Sequence, residues 1–376
     1  MTVTPKRSLK IEKLARIYDE EIAPVWGTRF GKMLLRNLAV PEKGQVLDVS
    51  CGTGYPTVEI LRRMTPGSRL IAIDASSAML DVARRKIAEL GPLGKKGVFF
   101  RTESAVPKLS FADCVYDLVV CNLGLDEMPS IDTALRDFTR VAKLGGEVRC
   151  TLALAGTFQE FHDLYREVLI KHDKHEALDR LDRHVARFPT IDKVERCMRS
   201  AGLDGEIAVE EFTLLFKSSR EFFFAPVIEY GPLGEWKEIA GNGQEMQDVF
   251  WYIKEAIDAY FDGRPYQVRV SAGCLVGKKH DGRVTDHEMS EEIEIAPLDA
   301  SMDDDEEIDT GLPRPPHQIA AGSVRVEELN DEISDLEIVE LDASSGEVAI
   351  DEDSVEEQEL DAFIEGKKRP SHLDET

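Results

Sequence analysis

A strand that runs directly into a glycine-rich turn is the feature that most constrains this fold. Residues 46–49 form a short apolar run, the turn at residues 50–54 (Ser-Cys-Gly-Thr-Gly) follows at once, and Pro56 is placed for a first helical turn. Glycines in such a turn let the backbone bend sharply and approach a ligand that a β-carbon would exclude. The stretch therefore predicts a ligand site at the end of a parallel strand.

An acidic residue follows at an informative spacing. Asp74 closes the next apolar run and lies 20 residues after Gly54, where an acid meets the two hydroxyls of an adenosine ribose. Asp48, just before the turn, would oppose a pyrophosphate but can face a cationic amino-acid group. Thr57 stands where a dinucleotide fingerprint starting at Gly52 has its third glycine. These residues favour a cationic adenosyl cofactor and disfavour a nicotinamide oxidoreductase.

Short apolar runs alternate with helical stretches over the first 280 residues. Strands are predicted at residues 46–49, 70–73, 98–100, 118–121, 148–154, 208–216 and 267–276. The first five favour a parallel doubly wound sheet, and the last two, which lack a compact crossover, favour an antiparallel edge. Helices with apolar residues at helical spacing are predicted at residues 158–169 and 246–260, and each is interpreted as a core helix in preference to a lid.

Four motifs in order resemble class I S-adenosylmethionine-dependent methyltransferases. Residues 48–54 (D-V-S-C-G-T-G) look like that family's D/E-x-G-x-G-x-G motif, and residues 101–105, 116–120 and 140–147 resemble its adenine loop, its F-D-x-V-V strand and its R-V-L-K-P-G-G turn. Ser50 replaces the first glycine of the glycine motif, and Leu144 replaces the usual proline of the R-V-L-K-P-G-G turn. The similarity is good over residues 40–155, loose over 1–39 and 156–280, and nearest to the small-molecule branch that includes the ubiquinone and menaquinone methyltransferases.

The resemblance implies a fold, a cofactor and a set of contacts. The fold is α/β, a Rossmann-like, doubly wound and mostly parallel seven-stranded sheet with helical cover. The cofactor is S-adenosyl-L-methionine, with Asp74 as the ribose acid and Glu103 beside the adenine; a Glu103 that is only an exposed loop acid and a Met79 that is only core stay as alternatives. The predicted cofactor-binding residues are Asp48, Ser50, Gly52, Gly54, Asp74, Ala75, Met79, Glu103, Ser104 and Asn122.

Methyl transfer from a sulfonium mainly requires that the acceptor be oriented and desolvated. Asp126 and Glu127, after the fourth strand, and His162 are candidates for a base; the alternatives are an acidic helix start and a packing histidine. Tyr18 and Trp26 precede the first strand and either line the pocket or only pack. No metal site is predicted.

The charge is distributed very unevenly along the chain. The formal net charge is −26, and residues 281–376 alone hold 32 acidic against 6 basic side chains, so the first 280 residues are formally neutral. Residues 291–365 contain one aromatic residue, Phe363, and cannot offset the entropy of ordering. We expect a methyltransferase domain at 1–280, with a helical cap at about 1–40, a cofactor core at about 41–155 and a helical insertion with terminal strands at 156–280, followed by a disordered acidic tail at 281–376.

The partners follow from the same distribution. A neutral body without the N-P-P-aromatic motif disfavours nucleic acid and favours a small-molecule methyl acceptor. Two similar acidic-apolar segments, residues 292–301 and 336–344, are compatible with a protein partner for the tail, although a solvated spacer is the stronger interpretation.

The cysteine pattern and the absence of long apolar runs in the sequence predict where the protein is located. Six cysteines without a C-x-x-C pair, no signal-peptide pattern and no long apolar run indicate a cytoplasmic protein without a membrane span. The alternative to an enzyme is a catalytically inert adenosylmethionine-binding or scaffold protein whose tail recruits a partner.

Overall fold

The computed structural model describes residues 5–280 apart from 93, 95, 96 and 262, with side chains from residue 10 onward. The acidic tail predicted at residues 281–376 lies outside the described residues. The statements below concern the described part of the chain.

One sheet organises the described chain. Its seven strands are β1 Gln45–Val49, β2 Arg69–Asp74, β3 Gly97–Thr102, β4 Tyr116–Asn122, β5 Ala142–Ala153, β6 Leu203–Phe216 and β7 Tyr266–Lys279, in the spatial order β3-β2-β1-β4-β5-β7-β6. The first five strands pair in parallel, and β7 inserts antiparallel between β5 and β6. The doubly wound, mostly parallel sheet and its antiparallel edge are therefore confirmed.

Helices connect and cover these strands. They are α1 Pro5–Ile17, α2 Gly27–Leu35, α3 Thr57–Arg63, α4 Ser77–Glu89, α5 Ile131–Val141, α6 Gln159–Lys171, α7 His175–Val185, α8 Ile191–Ser200, α9 Ser219–Phe224, α10 Pro226–Glu229, α11 Leu233–Ala240 and α12 Gly243–Phe261. A π-helical turn, Tyr18–Ile22, extends α1, and a 3₁₀ turn, Gly124–Glu127, follows β4. No helix in this part of the chain is long and apolar enough to cross a bilayer.

Strand residues alternate between two buried clusters because successive side chains of a strand point to opposite faces. Val46 of β1 belongs to the larger cluster, while Leu47 and Val49 belong to the other, and all three are fully buried. A sheet covered on both faces is what the continuous apolar runs of the inner strands indicate.

The two long helical stretches are core helices, as predicted. Phe161, Tyr165 and Leu169 of α6 and Phe250 and Ile253 of α12 are fully buried. Two residues do not follow the helical spacing of buried apolar side chains. Phe158 precedes α6 in a left-handed conformation (φ 57°), and Tyr260 at the end of α12 is 55% exposed.

The glycine pair before the fifth strand is part of that strand and not a separate turn. β5 begins at Ala142, and its register with β4 shifts so that Tyr116 pairs with Ala142 while Leu118 pairs with Glu147. The extra residues bulge outward, with Gly145 at φ 71° and Leu144 63% exposed. Exposure explains why a leucine is tolerated at that position.

Candidate active site

The carboxyl ends of β1, β2 and β4 meet at one edge of the sheet because these strands are parallel neighbours. This edge brings together the glycine turn, Asp74 and the segment that begins at Asn122. The sequence-predicted cofactor residues are thus gathered by sheet order, which motif spacing alone does not specify.

The glycine turn needs glycine for two different reasons. Gly52 lies at φ 53°, and a β-carbon there would meet only the Tyr18 ring at 3.8 Å. Gly54 lies at φ 93°, and a β-carbon there would come within 3.0 Å of the Ala83 β-carbon on α4. Gly52 therefore leaves open space beside the turn, while Gly54 allows close packing against a helix.

Ser50, the departure from the glycine motif, is accommodated by a second glycine. Ser50 has φ 54°, and its side chain faces Gly124, where a β-carbon would lie 2.5 Å from that of Ser50 and 2.8 Å from the Cys121 sulfur. The serine is compatible with the turn because the segment after β4 has no side chain at this point.

Asp74 ties the turn to the next helix. Its Oδ2 accepts a hydrogen bond from the Gly52 amide and its Oδ1 accepts one from the Ser76 amide, both at 2.8 Å. Ser76 in turn caps α4 by accepting from the Met79 amide. Burial raises the pKa of Asp74 despite these two bonds. Each carboxylate oxygen keeps a lone pair for a further donor.

Asp48 is the most deeply buried acid of the site. Its Oδ2 accepts from the Thr57 hydroxyl at 2.5 Å, whereas its Oδ1 has no partner among the described residues. Burial raises its pKa to about 7, the Thr57 bond opposes that shift, and the nearby Asp74 charge adds to it. A buried carboxylate oxygen without a partner suits a cationic or hydrogen-donating ligand group.

The 3₁₀ turn after β4 carries both predicted carboxylates. The Asp126 side chain is exposed, and desolvation by the surrounding protein raises its pKa to about 6. The pKa of Glu127 is raised by partial burial and by the charges of Asp74 and Asp126. Both acids lie just after the carboxyl end of β4, and a catalytic role for either stays a prediction.

Asp48, Asp74, Asp126 and Glu127, called the cofactor-side acids below, share one electrostatic property. The shifts in their pKa values arise from burial, hydrogen bonds and each other, and no Lys or Arg among the described residues contributes to any of them. A site of uncompensated carboxylates repels a pyrophosphate and attracts a cation. The residues present therefore fit an adenosyl cofactor that carries positive charge.

Tyr18 stands over the glycine turn. Its hydroxyl would lie 3.4 Å from a β-carbon at Gly27, and its ring lies beside Gly52. Burial, together with the charges of Glu127, Asp74 and Asp19, raises the Tyr18 pKa to about 12. Of the two aromatic residues singled out before the first strand, Tyr18 is thus beside the predicted cofactor residues.

Trp26 belongs instead to an aromatic cluster. Its ring stacks on Phe158 with centroids 5.8 Å apart and contacts Phe30 at 5.1 Å. Asn122 connects this region to the sheet: its amide donates to the Gly27 carbonyl at 3.0 Å, and its carbonyl accepts from the Thr151 hydroxyl at 2.8 Å. The Asn122 side chain therefore positions the start of α2.

The remaining residues predicted to contact the cofactor lie just after β2 and β3 and in the first turn of α4. The Glu103 amide donates to the Asp74 carbonyl at 3.0 Å, and its carboxylate accepts from the Ser110 amide at 3.0 Å and pairs with Arg101 at 2.7 Å. Ala75 and Ser104 are exposed. Met79 packs partly against a small cluster that contains Ala15. Contact of these four residues with the adenosine stays a prediction.

His162 lies away from the strand ends, in the helical cover. It is fully buried among aromatic rings, and burial, His184 and Arg166 lower its pKa to about 3. An imidazole this weakly basic is a poor proton acceptor at neutral pH. Its burial among rings agrees with the interpretation as a packing residue, but neither ring nitrogen has a hydrogen-bond partner in the described part of the chain.

No group of three or more His, Cys, Asp or Glu residues within the described ranges is arranged to hold a metal ion.

Comparisons with known proteins agree with this geometry. The sequence profile of the ubiE/COQ5 methyltransferase family matches residues 21–214. Demethylmenaquinone methyltransferases of Staphylococcus aureus are 27% identical over 215 residues, covering 55% of this chain and 85% of theirs.

Solved structures with similar chains are more distant. A putative methyltransferase from Bacillus halodurans is 19% identical with a TM-score of 0.46, covering 66% of this chain and 98% of its own. The YcgJ protein of Bacillus subtilis is 17% identical with a TM-score of 0.44, covering 67% and 98%. Because the family profile spans more than half of the chain and includes the cofactor-side acids, this protein belongs to the ubiE/COQ5 methyltransferase family and is an S-adenosylmethionine-dependent methyltransferase.

Proposed function

We propose that the cofactor-side acids and the glycine turn hold S-adenosylmethionine and present it to a small organic acceptor. The observation that carries the proposal is the placement of Asp74 and Asp48 around the glycine turn: the Asp74 carboxylate accepts from the Gly52 and Ser76 amides, and the buried Asp48 keeps an Oδ1 without a partner in the described residues. The bound cofactor supplies a methyl group on a positively charged sulfur, and that charge is lost on transfer.

Each acid has a role that its surroundings support. Asp74 accepts the ribose hydroxyls, since its two oxygens are already aligned by the Gly52 and Ser76 amides. Asp48 faces the amino group, directly or through water, with the Oδ1 that has no partner in the described residues. Tyr18 covers the turn from the N-terminal side and excludes water.

Asp126 and Glu127 serve the acceptor end. A pKa near 6 lets Asp126 be largely ionised at neutral pH and still accept a proton from an acidic hydroxyl. Glu127 is coupled to Asp74 and Asp126 and adds negative charge beside the cofactor acid. One of these carboxylates removes the acceptor proton while the other stabilises positive charge.

The acceptor is a small organic molecule. The Staphylococcus aureus relatives carry the name demethylmenaquinone methyltransferase, which makes hydroquinones the first class of acceptor to screen.

Two further proposals concern the cellular compartment and a protein partner. Six unpaired cysteines support a reducing compartment such as the cytoplasm, and a partner for the acidic tail, which lies outside the described residues, is proposed from the sequence alone.

The test combines binding with transfer. Calorimetry should show that S-adenosylhomocysteine binds the wild-type protein and that NADH does not. Transfer of a labelled methyl group from S-adenosylmethionine should then be screened across hydroquinones, phenols and amines. Binding without transfer to any class would favour the inert alternative, and absence of binding would refute the proposed cofactor site.

A further inference from the structure

The crevice between β1 and β4 lies where the sheet reverses its strand order. From β1 the chain continues to β2 and β3 on one side, and it then crosses to β4 and β5 on the other. Open parallel sheets bind ligands at such a reversal, beyond the carboxyl ends of the strands. Val49 and Cys121 are register partners across the crevice, so the segments that follow them, residues 50–54 and 122–127, form its two walls.

Ser50 supplies the side chain at the base of this crevice. A β-carbon on Gly124 would lie 2.5 Å from the Ser50 β-carbon and 2.7 Å from the Ser50 hydroxyl oxygen. Atoms of two side chains do not approach each other this closely, so the crevice has room for one side chain at this point. The glycine on the β4 wall leaves that room to the serine on the β1 wall.

The Ser50 hydroxyl is available to a ligand. The residue is half-buried, and its hydroxyl exchanges no hydrogen bond with any described residue. Its backbone is left-handed, at φ 54°, a conformation that costs a serine more than a glycine. A strained residue whose polar group has no partner in the surrounding protein is typical of a functional site.

The groups assigned to the cofactor and to the acceptor lie on either side of Ser50. On the β1 wall, Asp74 accepts a hydrogen bond from the amide of Gly52, two residues after Ser50. On the β4 wall, Asp126 and Glu127 follow Gly124 in the same 3₁₀ turn. A methyl group that passes from the ribose end to these carboxylates has to cross the crevice that Ser50 occupies.

We propose that the Ser50 hydroxyl oxygen contacts the positively charged sulfonium of S-adenosylmethionine and so lets the site distinguish this cofactor from its neutral product, S-adenosylhomocysteine. The inference rests on the proposed function and adds a specificity-determining residue to it.

The chemistry of a hydroxyl suits this role. Its oxygen carries lone pairs, which attract a positive charge and the polarised C–H groups beside that charge. Hydrogen bonds that involve a charged group are roughly twice as strong as neutral ones, so the contact is stronger with a sulfonium than with a thioether. Ser50 therefore favours the methyl donor in competition with the product that turnover releases.

A purely structural role for Ser50 predicts a different pattern. A serine that only fills the crevice affects S-adenosylmethionine and S-adenosylhomocysteine alike, because both ligands have the same adenosyl and amino-acid groups. The ratio of the two affinities is therefore the quantity that separates the two roles.

The test measures this ratio by isothermal titration calorimetry on the full-length protein. Ser50→Ala removes only the hydroxyl and should weaken binding of S-adenosylmethionine roughly three- to tenfold. Sinefungin, which carries an ammonium group in place of the methylated sulfur, should lose affinity in the same way. The affinity for S-adenosylhomocysteine should change less than about twofold, since its contact with the hydroxyl is weak. Ser50→Gly, which also relieves the left-handed strain, should show the same loss of selectivity.

Ser200→Ala is the matched control. It makes the same chemical change at the exposed end of α8, where the Ser200 hydroxyl donates to the Asp132 carboxylate at 2.8 Å. Because this position lies outside the crevice, the variant should bind all three ligands as the wild type does.

The outcomes separate the two proposals. An equal change in affinity for S-adenosylmethionine and S-adenosylhomocysteine in Ser50→Ala, or no change for either, would overturn the role of Ser50 while leaving the cofactor assignment intact. Failure of the wild-type protein to bind any of the three ligands would overturn the proposed function itself.

Discussion

The Thr57 hydroxyl donates to Asp48 Oδ2 at 2.5 Å, which joins the first residue of α3 to the strand before the glycine turn. The same two residues distinguish this turn from a dinucleotide fingerprint in the sequence. Thr57 occupies one side of a carboxylate that is fully buried, and the other oxygen has no partner in the described chain. The threonine therefore holds the acid in the orientation that a cationic ligand requires.

Stability should depend on pH through Asp48. Its pKa rises from 3.8 to about 7 on folding, so the folded state binds more protons between those values and stability falls as pH rises from 4 to 7. Asp48→Asn removes this dependence. The difference in unfolding free energy between pH 5 and pH 8 should shrink by on the order of 1–3 kcal/mol relative to wild type, measured by urea denaturation. An unchanged difference would mean that Asp48 is ionised at both pH values.

Asp74→Asn should weaken binding of S-adenosylhomocysteine by roughly 10- to 100-fold, the cost of hydrogen bonds to a charged acceptor. Asn is preferred to Ala because one oxygen is kept for the Gly52 or Ser76 amide, and Ala would leave both amides unpaired. Asp81→Asn, on the exposed side of α4, is the control and should bind normally. Equal affinity in calorimetry for Asp74→Asn and wild type would refute the ribose role.

Turnover should report which carboxylate acts at the acceptor. If Asp126 is the base, kcat should rise as the pH increases through about 6, because its carboxyl ionises there. Asp126→Asn should abolish this rise and lower kcat at least about 100-fold. Glu127→Gln tests the other carboxylate in the same way. Asp132→Asn, at a surface position in the first turn of α5, should retain wild-type turnover. Unchanged rates in both test variants would leave orientation alone as the mechanism.

Gly124→Ala should destabilise the protein because the new methyl group would lie 2.5 Å from the Ser50 β-carbon and 2.8 Å from the Cys121 sulfur. Ser50→Gly should relieve part of this clash in the double variant. Alone it should stabilise by about 1 kcal/mol, since Ser50 has φ 54°. Gly234→Ala, inside α11 with open space around it, is the control. Additive effects of Ser50→Gly and Gly124→Ala in urea denaturation would contradict the proposed contact.

A chain that ends at His280 should fold, keep its thermal midpoint and bind S-adenosylhomocysteine as the full chain does. β7 ends at Lys279, and the His280 amide still donates to the Gly202 carbonyl at 3.2 Å. Removing residues 281–376 also removes the whole net charge of −26 and should lower solubility. Slow amide exchange in residues 281–376, or a large fall in midpoint on truncation, would move the domain boundary.

The sequence by itself determined the sheet and the position of the glycine turn and Asp74 at the strand ends. Strand β1, the turn after it and Asp74 are contiguous motifs whose roles depend on local backbone geometry, so spacing was sufficient to predict them. All seven strands were located from apolar runs, which in the inner strands reflect burial, although β3 and β6 are mostly half-buried or exposed. The antiparallel edge formed by the last two strands was also predicted, whereas the insertion of β7 between β5 and β6 was not.

Only the tertiary structure decided how distant residues meet. The contact of Ser50 with Gly124 and the position of Tyr18 over Gly52 join segments that no local pattern relates. His162, His184 and Trp236 lie on three helices, and each alone resembles an ordinary core residue. Their common lack of hydrogen-bond partners within the described chain is visible only once the helices pack, because whether a buried polar group is satisfied depends on atoms from elements far apart in sequence.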